Sequence, residues 1–272
     1  MRQVSLIIST YNQPEWLEKT LFGYTVQTFR DFEIIIADDG STDKTKEVVN
    51  WFSANSKLNI KHIWHEDLGF RKTLILNKAI ALSEAPYLVF TDGDCIPRKD
   101  FLEKHFKLKK PSCFLSGGYF KLPMPISKTI SKNQIESQQC FDGSWLLSLG
   151  LKPSFKMNKL KAKGFKERFL NKFTTTKATF DGMNASAWRQ DILAVNGFDT
   201  RMEYGGEDRE LGERLMNYGI KPLQIRYSAI CLHLDHERNY INKESLEKNK
   251  TIRKNTKRHN SKWTNFGIDT MS

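Results

Sequence analysis

The chain has 272 residues, 39% of them hydrophobic and 12% aromatic, which excludes disorder throughout and suffices for one large α/β domain with a C-terminal extension. No run approaches the roughly 20 apolar residues that span a bilayer, and the opening MRQVSLIISTYNQ breaks too early for a signal peptide. The formal net charge is +12, with the excess gathered in Lys152–Lys177 and Lys243–Lys262, a pattern that suits an anionic partner.

Four cysteines (Cys95, Cys113, Cys140, Cys231) stand singly, without CxxC pairing, which excludes a zinc framework or a dense disulfide scaffold. Reduced thiols in a cytoplasmic protein, peripheral at most to the inner face of a membrane, are the expectation.

VSLIIST (4–10) is an apolar run bounded by turn residues and reads as a buried strand. Pro14 opens a helix with Leu17, Leu21 and Tyr24 on one face. FEIIIA (32–37) is a second strand, and Val48, Trp51 and Phe52 mark the next helix. LNIKHIW (58–64) follows as a strand, then a helix with Phe70, Leu74, Asn77 and Ala81 on one face, then the strand PYLVFTD (86–92). This alternation predicts a mostly parallel sheet with helices on both faces. Ligands of such sheets gather beyond the carboxyl ends of the strands. Those ends here carry Thr10-Tyr11-Asn12, Asp38-Asp39 and Asp92-Gly93-Asp94.

From 121 to 177 the prolines Pro123, Pro125 and Pro153 break the pattern, and only SQQCFDGSWLLSLG suggests helix. This stretch reads as a basic excursion. A short helix follows near Arg189–Val195, then the helix EDRELGERLMNY ended by Gly219, then one late strand over KPLQIRYSAICLHL. The expected organisation is a donor half (1–110), a basic connection (111–177), a catalytic half (178–240) and a basic tail (241–272), helical or mobile.

Residues two apart on an extended segment point the same way, so Asp92 and Asp94 face one point past a strand end. Their hard oxygens suit Mg²⁺ or Mn²⁺ completed by a diphosphate, while Gly93 lets a ligand approach the backbone. Of Asp38 and Asp39, one caps the next helix and the other accepts a base N–H, which favours uracil. Tyr11 stacks on that base, and Arg71, which begins the third helix, pairs with phosphate oxygens.

On the later helix Asp208, Leu211 and Leu215 share the buried face, and Glu210 and Arg214 form an exposed pair. The helix N-terminus keeps Asp208 anionic, and Gly205-Gly206 leaves room for a substrate. His233 or His236 completes a metal site with Asp94, His233 preferred because it still belongs to the strand.

The segments SLIISTYNQPEWLEKTL, QTFRDFEIIIADDGSTDKT and YLVFTDGDCIP resemble family 2 glycosyltransferases of the GT-A fold. FDGMNASAWRQDILAVNGFDTRMEYGGEDRELGERL resembles the catalytic half of galactosyltransferase-like enzymes, so the resemblance spans roughly 1–110 and 178–236. It implies that Thr10, Tyr11, Asp39, Arg71, Asp92 and Asp94 bind a UDP-sugar and that Asp94 and His233 hold Mn²⁺ or Mg²⁺. Asp208 is then the base that deprotonates the acceptor hydroxyl, with Gly206 and Glu207 beside the acceptor. A single displacement inverts the anomeric centre. The implied acceptor is a glycan or glycolipid, as in bacterial surface polysaccharide synthesis. One departure stands out: Leu76 occupies the place of a frequent family arginine.

A metal-dependent sugar nucleotidyltransferase is the alternative enzyme, and it lacks the second acidic motif. A non-catalytic anionic-polymer-binding protein is the alternative without chemistry; no nucleic-acid motif accompanies the charge. GxxxxGK[ST] and GxGxxG are absent. Within Lys152–Lys177, Phe155, Phe165, Phe169 and Phe173 alternate with basic residues, as in a helix lying on an anionic membrane surface.

Overall fold

The computed structural model describes residues 2–237 and 242–271. Strands β1 (Val4–Thr10), β2 (Phe32–Asp38), β3 (Ile60–Trp64) and β4 (Tyr87–Asp92) alternate with α1 (Pro14–Thr25), α2 (Asp43–Asn55) and α3 (Lys72–Leu82). β5 (Cys95–Pro97), α4 (Phe101–Leu108), β6 (Cys113–Ser116) and β7 (Gly118–Lys121) follow. Then come the short helices α5 (Met124–Thr129), α6 (Lys132–Glu136), α7 (Gly143–Ser148) and α8 (Asn158–Lys161), and α9 (Gly164–Phe173). The chain closes with β8 (Asn184–Trp188), α10 (Arg189–Ala194), α11 (Glu207–Tyr218), β9 (Lys221–Gln224), β10 (Ile230–His233) and α12 (Lys243–Arg258).

The main sheet has seven strands in the order β3-β2-β1-β4-β8-β6-β9. β3, β2, β1 and β4 pair in parallel, as the alternation of strands and helices demands, and β8 inserts antiparallel between β4 and β6. Parallel register brings the strand ends together: Thr10 lies beside Asp38, and Ser9 beside Asp92.

Alternation along the strands divides the core. Leu6, Ile8, Ile34 and Ile36 face α1 and α2, while Ile7, Ile35 and Ala37 face α3, α10 and α11. Each fully buried isoleucine contributes about 1.5–3 kcal/mol, so a one-residue slip of β1 would cost several such contributions. The antiparallel seam is fixed by a buried polar group. His105 bonds Ser186 at 2.7 Å and Asn184 at 2.9 Å, and burial drives its pKa down to about 4, leaving the ring neutral.

Four sequence expectations change. The late strand is two strands in two sheets: β9 pairs with β6, whereas β10 joins a three-stranded sheet ordered β5-β10-β7. A turn separates them, with Ser228 N–H donating to the Ile225 carbonyl at 2.8 Å. The third helix begins at Lys72, one residue after the expected start at Arg71, and its buried face runs through Thr73, Leu76, Asn77 and Ile80, leaving Ala81 exposed. The excursion is largely helical; α7, inside the one stretch that suggested helix, is capped by Asp142, which accepts from Ser144 N–H at 2.7 Å.

The tail, finally, is no loose extension. α12 packs along α11, with Asn249 Nδ2 donating to the Glu203 carbonyl at 2.8 Å and Arg253 paired with Glu213. The expected boundary at 240/241 lies outside the described residues. No helix among the described residues is long and apolar enough to cross a membrane, and all four cysteines are free and buried.

Candidate active site

A cavity of about 450 Å³ opens beyond the carboxyl ends of β1, β2 and β4. Thr10, Tyr11, Asp39, Asp92, Gly93 and Asp94 line it, together with Lys72, Met183, Tyr204, His233 and His236. Five of the six residues expected to hold the donor are therefore on one wall.

Asp39 is buried, and desolvation raises its pKa although His65 and the Arg71 main chain pull against that. His65 Nε2 lies 2.7 Å from its Oδ1, and Arg71 N–H donates to its Oδ2 at 3.0 Å. These contacts fix the carboxylate and leave lone pairs for a further donor. Tyr11 stands on the rim, 42% exposed, its hydroxyl donating to Asp67 at 2.8 Å. The expected helix cap is not formed: Asp38 accepts from Ser41 N–H at 2.8 Å within the turn before α2, whose N-cap position is Thr42.

Arg71 departs from expectation. Its main chain serves Asp39, but its guanidinium donates to the Glu66 carbonyl and its side chain is not part of the cavity lining. The cation on the wall is Lys72, the first residue of α3, whose ammonium lies 2.7 Å from Asp92 Oδ1. Ser9 Oγ donates to the same oxygen at 2.5 Å. Burial alone would lower the Lys72 pKa, but the charges of Asp92, Glu207 and Asp208 raise it. Leu76, one turn further along α3, is buried in the core.

Asp94, His233 and His236 form the one cluster of potential metal ligands among the described residues, with ligand atoms all within 4.8 Å of one another. His236 Nε2 is 3.0 Å from Asp94 Oδ2 and His233 Nε2 is 3.7 Å away. Both histidines thus approach Asp94, with His236 nearer than the preferred His233. Burial would raise the Asp94 pKa, but His236 and His233 together lower it. β10 lies against β5, with His233 opposite Cys95, and this pairing carries the histidine to the aspartate. One carboxylate and two imidazoles fit a divalent transition ion that keeps positions open for other ligands.

The second acidic group, Glu207 and Asp208, is not among the residues lining the cavity. Asp208 is half-buried in the first turn of α11 and accepts from Gly182 N–H at 2.8 Å and Arg209 N–H at 2.7 Å. The neighbouring Met183 lines the cavity. Glu207 is buried and accepts from Gly205 N–H at 2.9 Å. Gly206 does not border open space. A Cβ on Gly205 would meet Leu246 at 2.4 Å and one on Gly206 would meet Arg253 at 3.1 Å, so α12 occupies the room expected for a substrate. The glycines are needed for their backbone, with φ of +114° and +90°.

Glu210 and Arg214, expected on the surface, are both 1% exposed. Arg214 Nε bonds Glu210 at 2.9 Å and its Nη2 donates to the Gly197 carbonyl at 2.6 Å, while Thr256 of α12 donates to Glu210 at 2.9 Å. Helical spacing paired them correctly; the elements packed over α11 make the pair internal.

Burial and then the Asp208 charge push Glu207 up to about 7 from an ordinary 4.5. Asp181 rises from 3.8 to about 7 through burial and the charges of Asp208 and Asp92. Both acids hold protons in the folded chain that the unfolded chain releases, so stability falls as pH rises from about 4 to about 7. Melting of the metal-free protein across this window is expected to show that decline, and Glu207→Gln to reduce its slope. An unchanged slope would place the titrating group elsewhere.

Lys72, His65, Asp181 and Tyr204 were missed in the sequence. Only Lys72 carried a signal there, as a second cation directly after Arg71 at the helix start.

The family model described as Glycosyl transferase family 2 matches residues 5–111, and that described as the N-terminal domain of galactosyltransferase matches residues 164–237. Validoxylamine A glucosyltransferase of Streptomyces hygroscopicus subsp. jinggangensis is 30% identical over 253 residues, covering 87% of this chain and 56% of its own length. The uncharacterised glycosyltransferase YfnE of Bacillus subtilis is 25% identical, covering 91% of this chain and 68% of its own. Against the first of these relatives and its counterpart in subsp. limoneus the chain spans about half their length, 56% and 52%.

Among solved structures, a mannosyltransferase of Pyrobaculum calidifontis in complex with GDP-Man and Mn²⁺ superposes with a TM-score of 0.59 at 20% identity, covering 88% of this chain and 59% of that one. S. aureus TarS 1-349 in complex with UDP-GlcNAc gives 0.59 at 16%, covering 88% and 60%. At these identities the two structures bear on the fold alone.

Proposed function

Because the chain belongs to glycosyltransferase family 2, we propose that it transfers a sugar, with inversion, from a UDP-sugar to a hydroxyl of a glycan or glycolipid acceptor. The observation that carries this reading is the convergence on one cavity of a base-accepting carboxylate, Asp39, with the Asp94, His233 and His236 cluster. Asp39 accepts the uracil N–H while Tyr11 stacks on the ring and Thr10 borders it. Asp92, held by Ser9 and Lys72, faces the ribose.

Asp94, His233 and His236 would hold the metal. The two imidazoles tilt the choice towards Mn²⁺ over Mg²⁺, which prefers an all-oxygen shell. An ion bound there would supply charge neutralisation for the leaving diphosphate. Lys72 contributes a fixed positive charge on the same side, in place of the side-chain role expected of Arg71.

Asp208 takes the proton from the acceptor hydroxyl as that oxygen attacks the anomeric carbon opposite the departing UDP. Its two main-chain hydrogen bonds orient the carboxylate. Glu207, with its raised pKa, stays partly protonated near neutrality and orients the acceptor as a hydrogen-bond donor.

Calorimetry with UDP, GDP and CMP, each with and without Mn²⁺, tests the donor assignment. UDP is expected to bind best and only with metal, and Asp94→Ala to weaken that binding by at least about tenfold, in line with loss of a metal ligand. Equal binding of all three nucleotides without metal would remove the uridine and metal assignments together.

A further inference from the structure

Helix α9 is built with its polarity reversed. Glu167, 5% exposed, accepts from Lys104 Nζ at 2.8 Å through each of its oxygens, and Asn171, one turn on, donates to Ser228 Oγ at 2.8 Å while accepting from Tyr227 N–H at 2.9 Å. These polar residues anchor the helix to the protein. Phe165, Phe169 and Phe173 point the other way, 84%, 49% and 61% exposed. Their rings form a continuous ladder, with centroids 6.4 and 4.6 Å apart. Lys166, Arg168 and Lys172 are exposed around them.

Water-facing phenylalanines at i, i+4 and i+8 gain nothing from the fold, and no element among the described residues covers them. We infer that this face of α9 docks onto an anionic membrane surface, the aromatic ladder entering the headgroup boundary and the basic rim pairing with lipid phosphates. Charge decides the occupant. In a chain of net charge +12, apposing two copies of this face would bring two basic rims together, whereas an anionic leaflet neutralises the rim and accepts the rings. The docking surface stands apart from the catalytic assignments, and its test uses no turnover measurement.

The experiment is co-sedimentation of the full chain with vesicles of phosphatidylcholine alone and of phosphatidylcholine mixed with phosphatidylglycerol, at low and high salt. Binding to the mixed vesicles at low salt is expected, weakened by about tenfold or more by high salt or by omission of the anionic lipid. Phe165→Ser, Phe169→Ser and Phe173→Ser combined should lose that binding with an unchanged melting midpoint, because the rings are exposed. Phe169→Trp should shift its emission to the blue on the mixed vesicles.

No binding to anionic vesicles at low salt would overturn the proposal. So would binding that survives the triple substitution, which would show adsorption by net charge alone. Concentration-dependent self-association removed by the triple substitution, without vesicle binding, would assign the face to a second copy of the chain.

Discussion

Asp208→Asn is expected to lower turnover by about 10²–10⁴-fold, the usual contribution of a positioned general base, while leaving Mn²⁺-dependent UDP affinity nearly unchanged. The split follows from where the residue stands. Asp208 is not among the residues that line the cavity with Asp39 and Asp94, and it is held by Gly182 N–H next to the lining residue Met183. An amide oxygen can keep only one of its two main-chain donors, Gly182 N–H or Arg209 N–H, so the melting midpoint is measured alongside. Single-turnover rates with a UDP-sugar and calorimetry with UDP separate the two effects. Near-normal turnover would remove Asp208 as the base and pass that role to Glu207, which shares the first turn and the charge of Lys72.

The largest stability effect is expected at a residue with no part in the chemistry. Glu210→Ala leaves the Arg214 guanidinium buried without its carboxylate, and breaking such a pair costs about 3–5 kcal/mol. The remaining main-chain carbonyls of Val195 and Gly197 still accept from Arg214, but they do not neutralise it. Equilibrium urea unfolding should show the loss as a lower midpoint at similar slope. Replacing the pair together, Glu210→Leu with Arg214→Met, should recover most of it, because two apolar side chains need no partner. A loss below about 1 kcal/mol for Glu210→Ala would match a surface pair instead.

The sequence by itself determined the framework of the donor side. VSLIIST, FEIIIA and PYLVFTD are apolar runs ending in polar residues, and in a parallel sheet such runs place their ends at one edge. Thr10, Asp39, Asp92 and Asp94 could therefore be brought together from sequence alone. Order within the strand favoured His233, which ends β10, whereas the structure brings His236 to Asp94 as well. Local periodicity identified α11, its buried Leu211 and Leu215, and the i, i+4 spacing of Glu210 and Arg214.

Only the tertiary structure decided what depends on partners remote in sequence. Glu210 and Arg214 are internal because α12 and the 195–197 turn cover them, and no helical period reports what lies on the far side. The Gly205-Gly206 backbone faces Leu246 and Arg253 for the same reason. The wall cation is Lys72 and not Arg71 because the helix starts one residue later, which turns Arg71 to the Glu66 carbonyl and Lys72 to Asp92. The phenylalanines of α9 stay in solvent because Glu167 and Asn171 find Lys104 and Ser228 across the fold. Spacing along a chain fixes which residues share a face, but the face a helix buries is set by the partners that long-range packing brings to it.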